Sequence, residues 1–285
     1  MSGDITGEIN YFSHTTDGSP PWTDANPKLG YNITNHALAP TRVTIHDLRG
    51  RENTVDLDTN GFEILKHDGL INEVFNDNSE MQQCFYEEIA TVLKKRLNAS
   101  RVIIFNHITR FRGPYLPADQ CDGTHKNPIF TPHVDHDPPA ARFKVKRILG
   151  EEEANRVMQN RFQIINIWRP LGPNPIVNAP LTICDYRSLD PHNDVHAGVV
   201  YRSANDVTIS NYSISRNSPD AHKWYYLSQM RSDEMFVFKI FDSKSDVAQF
   251  APHTGFKNEN VPSMNVEQIS IELRALVLYD LNSSF

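Results

Sequence analysis

The stretch "QISIELRALVLYD", Gln268 to Asp280, has a two-residue period that makes it a strand with two unlike faces. Ile269, Ile271, Leu273, Ala275 and Val277 share one side, and Ser270, Glu272 and Arg274 share the other. The apolar side is a core face. The charged side has two explanations: water covers it, or it faces an interior where Arg274 meets an anion, because a lone buried charge is costly.

Working outward from this strand, several further segments read the same way. They are "RVIIFNHITRF" (Arg101 to Phe111), "RFQIINIWRP" (Arg161 to Pro170), "APLTICDY" (Ala179 to Tyr186), "AGVVYRS" (Ala197 to Ser203), "DVTISNYSIS" (Asp206 to Ser215) and "EMFVFKIFD" (Glu234 to Asp242). Strands this frequent, separated by turn residues, predict a mainly β fold of the sandwich or jelly-roll kind. Helices flank it. Met81, Phe85, Ile89, Val92, Leu93 and Leu97 recur at helical spacing behind a capping Ser79. A second helical pair is expected from about Ala140 to Asn160, broken at Gly150, with the acids of "EEEA" opening its second part. The first sixty residues are rich in turn formers but carry Tyr11, Phe12, Trp22 and Tyr31, too many aromatics for a disordered tail. They read as an arm that wraps the core and holds one or two strands, one of them around "TRVTIHDL" (Thr41 to Leu48). The organisation expected is one domain over 1–285, with the arm at 1–60 and the core at 100–280.

The chain has 285 residues and a formal net charge of −7, which argues against a general nucleic-acid binder. No apolar run approaches membrane-spanning length, and the first residues do not resemble a secretory signal. Cys84, Cys121 and Cys184 are odd in number and far apart, which suits free thiols in a reducing, cytoplasmic setting. Of possible oligomers, a symmetric homodimer is the base-rate expectation.

One short segment carries chemistry. "NPIFTPHVDHDPP", Asn127 to Pro139, places two histidines and two aspartates within five residues. If it is extended, His133, Asp135 and Asp137 share a face, and His136 points away. His133 and Asp135 then form an H-x-D pair able to hold adjacent positions on one metal ion. Alone, such a pair is equally well a surface turn. A downstream histidine would complete a two-His, one-carboxylate triad, which leaves three positions of Fe(II) open. The candidates are His192, His196, His222 and His253. In that setting Arg274 gains a role, because a guanidinium can bind the distal carboxylate of 2-oxoglutarate in a bidentate fork.

The segments "RFQIINIWRPL", "PLTICDYRS", "HKWYYLSQMRSDEMFVFKIFDS", "APHTGF" and "SIELRALVLYD" resemble a family of fungal and bacterial non-haem iron oxygenases. The family includes hydroxylase/desaturases of the aspergillic-acid type, a component of cephalosporin 7α-methoxylation and an endoperoxide-forming enzyme of novofumigatonin biosynthesis. The resemblance runs from about Ile9 to Asp280. It implies a double-stranded β-helix (jelly-roll) core, Fe(II) and 2-oxoglutarate as cofactors, and O2-dependent hydroxylation, desaturation or endoperoxide formation on a small natural product such as a meroterpenoid. It also implies His133, Asp135 and His253 as metal ligands and Arg274 as the cosubstrate anchor. Arg274 lies 21 residues beyond His253, a long gap, so Arg169 of "WRP" is the second candidate anchor. Trp168, Trp224, Tyr225 and Tyr226 are core residues, or some of them line an apolar substrate pocket. Two rivals remain: a zinc hydrolase using the same three ligands, which leaves Arg274 without a role, and a non-catalytic jelly-roll accessory protein, against which the intact triad argues.

Overall fold

The computed structural model describes residues 3–24, 33–68, 72–73, 75, 79–122, 124–202, 207–216, 221–260, 262 and 266–279. Tyr31, Ser203, Asp206 and Asp280, named above, lie outside the described residues. Two β-sheets face each other.

The smaller sheet has six strands in the order β5 (Phe62–Lys66), β14 (Glu234–Asp242), β9 (Phe162–Leu171), β16 (Gln268–Leu278), β6 (Arg101–Gly113) and β7 (His125–Lys126). β16 is buried along its whole length and pairs antiparallel with β9 and β6. Its two faces separate as the alternation predicts. Ile269, Ile271, Leu273, Ala275 and Val277 join Ile165, Ile167, Met235 and Val237 in an outer core. Helix α1 (Glu80–Leu97) covers this face through Phe85, Ile89 and Leu93, each fully buried. Burying three such side chains stabilises the packing by roughly 1.5–3 kcal/mol apiece. Ser79 caps the helix by accepting from the Gln82 amide at 3.1 Å, and Asn98 ends it in the left-handed region.

The larger sheet has ten strands. Their order is β1 (Ile5–Thr15), β4 (His36–Asp47), β13 (Trp224–Tyr226), β10 (Leu181–Cys184), β15 (His253–Gly255), β8 (His133–Val134), β12 (Val207–Ile214), β11 (Val195–Arg202), β2 (Trp22–Asp24) and β3 (Ile33–Thr34). Among the described residues, the first sixty therefore hold four strands rather than one or two. They form both edges of this sheet, β1 and β4 at one end and β2 and β3 at the other. β4 and β2 attach the arm to the sheet by pairing with β13 and β11, far along the chain, so local pattern reads the arm poorly.

The main core lies between the sheets. Ile45, Ile183, Trp224 and Tyr226 of the large sheet meet Phe162, Ile164, Trp168, Phe236 and Phe238 of the small one. Beyond β8 the chain turns into α2 (Pro138–Leu149) and α3 (Glu151–Val157). Asp137 caps α2 through the Ala140 amide at 2.9 Å, with Pro138 and Pro139 in the first turn. Gly150, at φ +80°, separates the two helices.

Candidate metal centre

β8 and β15 are neighbours in the large sheet, and their register sets His133 directly opposite His253. The ring centroids are 4.5 Å apart. Strand pairing stops at Val134, yet Asp135 still returns to the side of His133: Nε2 of His133 is 3.8 Å from Oδ1 of Asp135. One ligand atom from each of His133, Asp135 and His253 lies within 4.8 Å of the others. Nδ1 of His133 donates to the Thr131 carbonyl at 2.8 Å, and Nδ1 of His253 to the Ala251 carbonyl at 3.3 Å. These bonds fix the tautomers and turn both Nε2 atoms toward the shared space. Burial, helped by repulsion from His133, pushes His253 down to about 3, so it stands as the neutral imidazole a metal requires.

Asp135 is held from behind. Its Oδ2 accepts from Nδ2 of Asn166 at 2.8 Å and from Nε of Arg274 at 3.0 Å, and Nη2 of Arg274 is 2.9 Å from the same oxygen. Arg274 also donates to Glu272 at 3.0 Å. Burial raises the Asp135 carboxyl, but Arg274 and then the histidines outweigh it and hold the group well below the usual carboxylate range. Two imidazoles and one carboxylate converging from one side suit the facial arrangement that leaves three positions of Fe(II) open.

The sequence matches the family described as oxidoreductase/YMDC permease-like domain over residues 9–278. It is 30% identical to the hydroxylase/desaturase efuI of Hormonema carpetanum, covering 98% of this chain and 97% of that one. It is 31% identical to the alpha-ketoglutarate-dependent dioxygenase tstK of Talaromyces stipitatus, covering 95% and 96%. A solved structure, the iron and alpha-ketoglutarate-dependent endoperoxidase NvfI, superposes with a TM-score of 0.79 at 26% identity, covering 97% of this chain and 98% of that one. The chain belongs to this family of iron- and 2-oxoglutarate-dependent oxygenases. The jelly-roll expectation holds, and these similarities favour the oxygenase over the zinc hydrolase and the accessory protein. Among its described residues the oxygenase has no helix long and apolar enough to cross a membrane.

The other histidines of the oxygenase stand elsewhere. His222 is buried, bonded to Asp194 at 2.9 Å and to the Tyr11 hydroxyl at 3.1 Å. His196 lies on β11 and bonds Ser215. His192 follows the turn at Asp190, and its amide donates to that carboxylate. His136 is buried beside Asp135 without entering the three-residue cluster. Asp137 serves α2 as its cap.

As the second candidate anchor, Arg169 needs a correction. It lies on β9 opposite Ile271, hence on the outer face, with its guanidinium 5.6 Å from the centre of the Phe85 ring of α1. Parity therefore turns it away from Asn166 and Trp168, which face the triad side.

The same interior holds polar residues that the sequence did not single out. Arg110 and Arg112 of β6 point inward. Nη1 of Arg110 donates to the Asn127 carbonyl at 2.8 Å, and Nε of Arg112 donates to Ser270 at 2.7 Å. The Arg112 guanidinium lies 4.8 Å over the Trp168 ring. Three guanidiniums, Arg110, Arg112 and Arg274, thus face two carboxylates, Asp135 and Glu272. Burial lowers Arg110 despite the pull of Glu272, and it pushes Arg112 down to about 9. Among the described residues, Nε1 of Trp168 is a buried donor without a partner. Excess buried cation and an orphaned donor fit an acidic ligand such as 2-oxoglutarate. The alternation that exposed the charged face of β16 would have flagged Arg110 and Arg112 too, had it been applied to β6.

Proposed function

We propose that this oxygenase holds Fe(II) on His133, Asp135 and His253 and oxidises a C–H bond of an apolar secondary metabolite. The observation that carries this reading is the convergence of the three ligand atoms within 4.8 Å. When bound, Fe(II) and 2-oxoglutarate supply O2-dependent oxidation coupled to decarboxylation of the cosubstrate to succinate. The chain's own residues bind, orient and exclude water. The far carboxylate of 2-oxoglutarate docks on Arg110, with Nε1 of Trp168 as an added donor. The sequence pointed to Arg274 for this role, but that guanidinium is already committed to Asp135 and Glu272. Half-buried Tyr186, Tyr212 and Phe250 form an aromatic cluster, with the Phe250 ring centroid 5.2 Å from that of Tyr186 and 5.5 Å from that of Tyr212. They offer an apolar surface to a substrate. Trp224 and Tyr226 are core residues in this scheme.

Relatives are named as hydroxylase/desaturases and as an endoperoxidase, and the reaction proposed for this chain is accordingly hydroxylation, desaturation or endoperoxide formation. The first sixty residues and the core act as one catalytic domain. The three free thiols suit a reducing cytoplasm. The test is incubation with Fe(II), 2-oxoglutarate and metabolite extracts under air. Succinate should form, and mass spectra should show a gain of one or two oxygens or a loss of two hydrogens. No succinate under any extract would sink the reading.

A further inference from the structure

We infer that Arg274 and Asn166 are positioning residues that hold Asp135 to a single ligating oxygen. The inference rests on the metal-centre reading above. An isolated arginine–carboxylate pair favours a fork, one donor on each oxygen. Here both Arg274 nitrogens converge on Oδ2, at 3.0 and 2.9 Å, and Nδ2 of Asn166 joins them at 2.8 Å. A carboxylate only accepts, so the Asn166 amide must present its nitrogen. Three donors saturate Oδ2. Oδ1 is left on the side of His133 Nε2.

The consequence is a coordination number. With Asp135 bound through Oδ1 alone, the three protein residues occupy three positions on an octahedral ion and leave three. A carboxylate free to swing and chelate through both oxygens would occupy a fourth, leaving one too few for a bidentate keto acid and O2 together. Glu272 sets the aim of this clamp by holding Nη2 of Arg274 at 3.0 Å. The clamp comes from the small sheet and the ligands from the large one, so it also ties the metal centre to the packing of the sandwich.

The test is Co(II) binding by the metal-free protein without cosubstrate, followed by d–d absorption, in wild type, Arg274→Gln, Arg274→Lys, Asn166→Ala and Ser270→Ala. Loss of an outer partner of a ligand typically weakens metal binding by roughly 10- to 100-fold. Arg274→Gln should fall in that range with an altered d–d spectrum. Asn166→Ala should weaken binding by several-fold, and Arg274→Lys should recover part of the loss. Ser270→Ala, which touches Arg112 and not Asp135, should match wild type. If Arg274→Gln fails to fold, Asn166→Ala decides alone. Metal affinity and spectrum unchanged in both variants would overturn the clamp, whether or not 2-oxoglutarate binding weakened. Wild type without Co(II) binding would sink the metal centre itself, a separate result.

Discussion

Arg169 and Arg274 are buried on adjacent strands of one sheet, and they serve opposite sides of it. Arg169 faces outward beneath α1, over the Phe85 ring, where burial pushes it down to about 10. Arg274 faces inward. Burial lowers it too, but Asp135 and Glu272 more than offset this and raise it. The residue type is the same, and the strands are hydrogen-bonded neighbours. One residue of parity separates a guanidinium packed against a helix from one that touches a candidate metal ligand. The two faces of this sheet are therefore expected to respond to mutation in different ways.

The largest effects belong to the inner face. His133→Ala, Asp135→Ala and His253→Ala should each abolish succinate formation and strip bound metal, measured by elemental analysis of the purified protein. Normal iron content in His253→Ala would overturn the three-residue cluster as the metal centre.

Next comes the cosubstrate, which sharpens the contrast between the faces. Arg110→Met should weaken 2-oxoglutarate binding by roughly 2–4 kcal/mol, or about 30- to 1000-fold. The readout is a titration of the charge-transfer absorbance of the iron complex. Arg169→Met should leave that midpoint unchanged. The opposite pattern would return the anchor to β9.

A third buried cation tests charge compensation itself. Lys239 is fully buried and bonded to Asp58 and Asp242, each at 2.7 Å. Burial raises Asp242, but Arg161 and Lys239 outweigh it and hold it below 3.8. Its folded value is depressed, so its contribution is present above 3.8 and is lost as pH falls through the lower folded value. Asp242→Asn should cost roughly 3 kcal/mol at neutral pH and flatten the fall of melting temperature below about pH 4. A parallel acid profile in the variant would show that other carboxylates govern acid unfolding.

Stability of Arg169→Met gives the smallest effect expected. An apolar side chain of similar length suits the outer core, so the change should stay within about 1.5 kcal/mol either way by chemical denaturation. A loss well beyond that would mean that the attraction of Glu88 and Asp233, more than packing on Phe85, holds the cation on the outer face.

Much of this was legible in the sequence. The alternation of β16 separated its core face from its charged face, the spacing after Ser79 marked α1, and the H-x-D at 133–135 carried two of the three candidate ligands. By itself, the sequence determined which residues share a face, because side-chain direction follows from local periodicity. The tertiary structure decided what each face meets. Pairing of β8 with β15 set His253, rather than His222 or His196, opposite His133. Packing of the two sheets carried Arg274 to Asp135, 139 residues away along the chain. The arm reached both edges of the large sheet through the pairing of β4 with β13 and of β2 with β11. Register and sheet packing are non-local, so no window of sequence contains them, whereas the two-residue period of a strand is complete within any few residues.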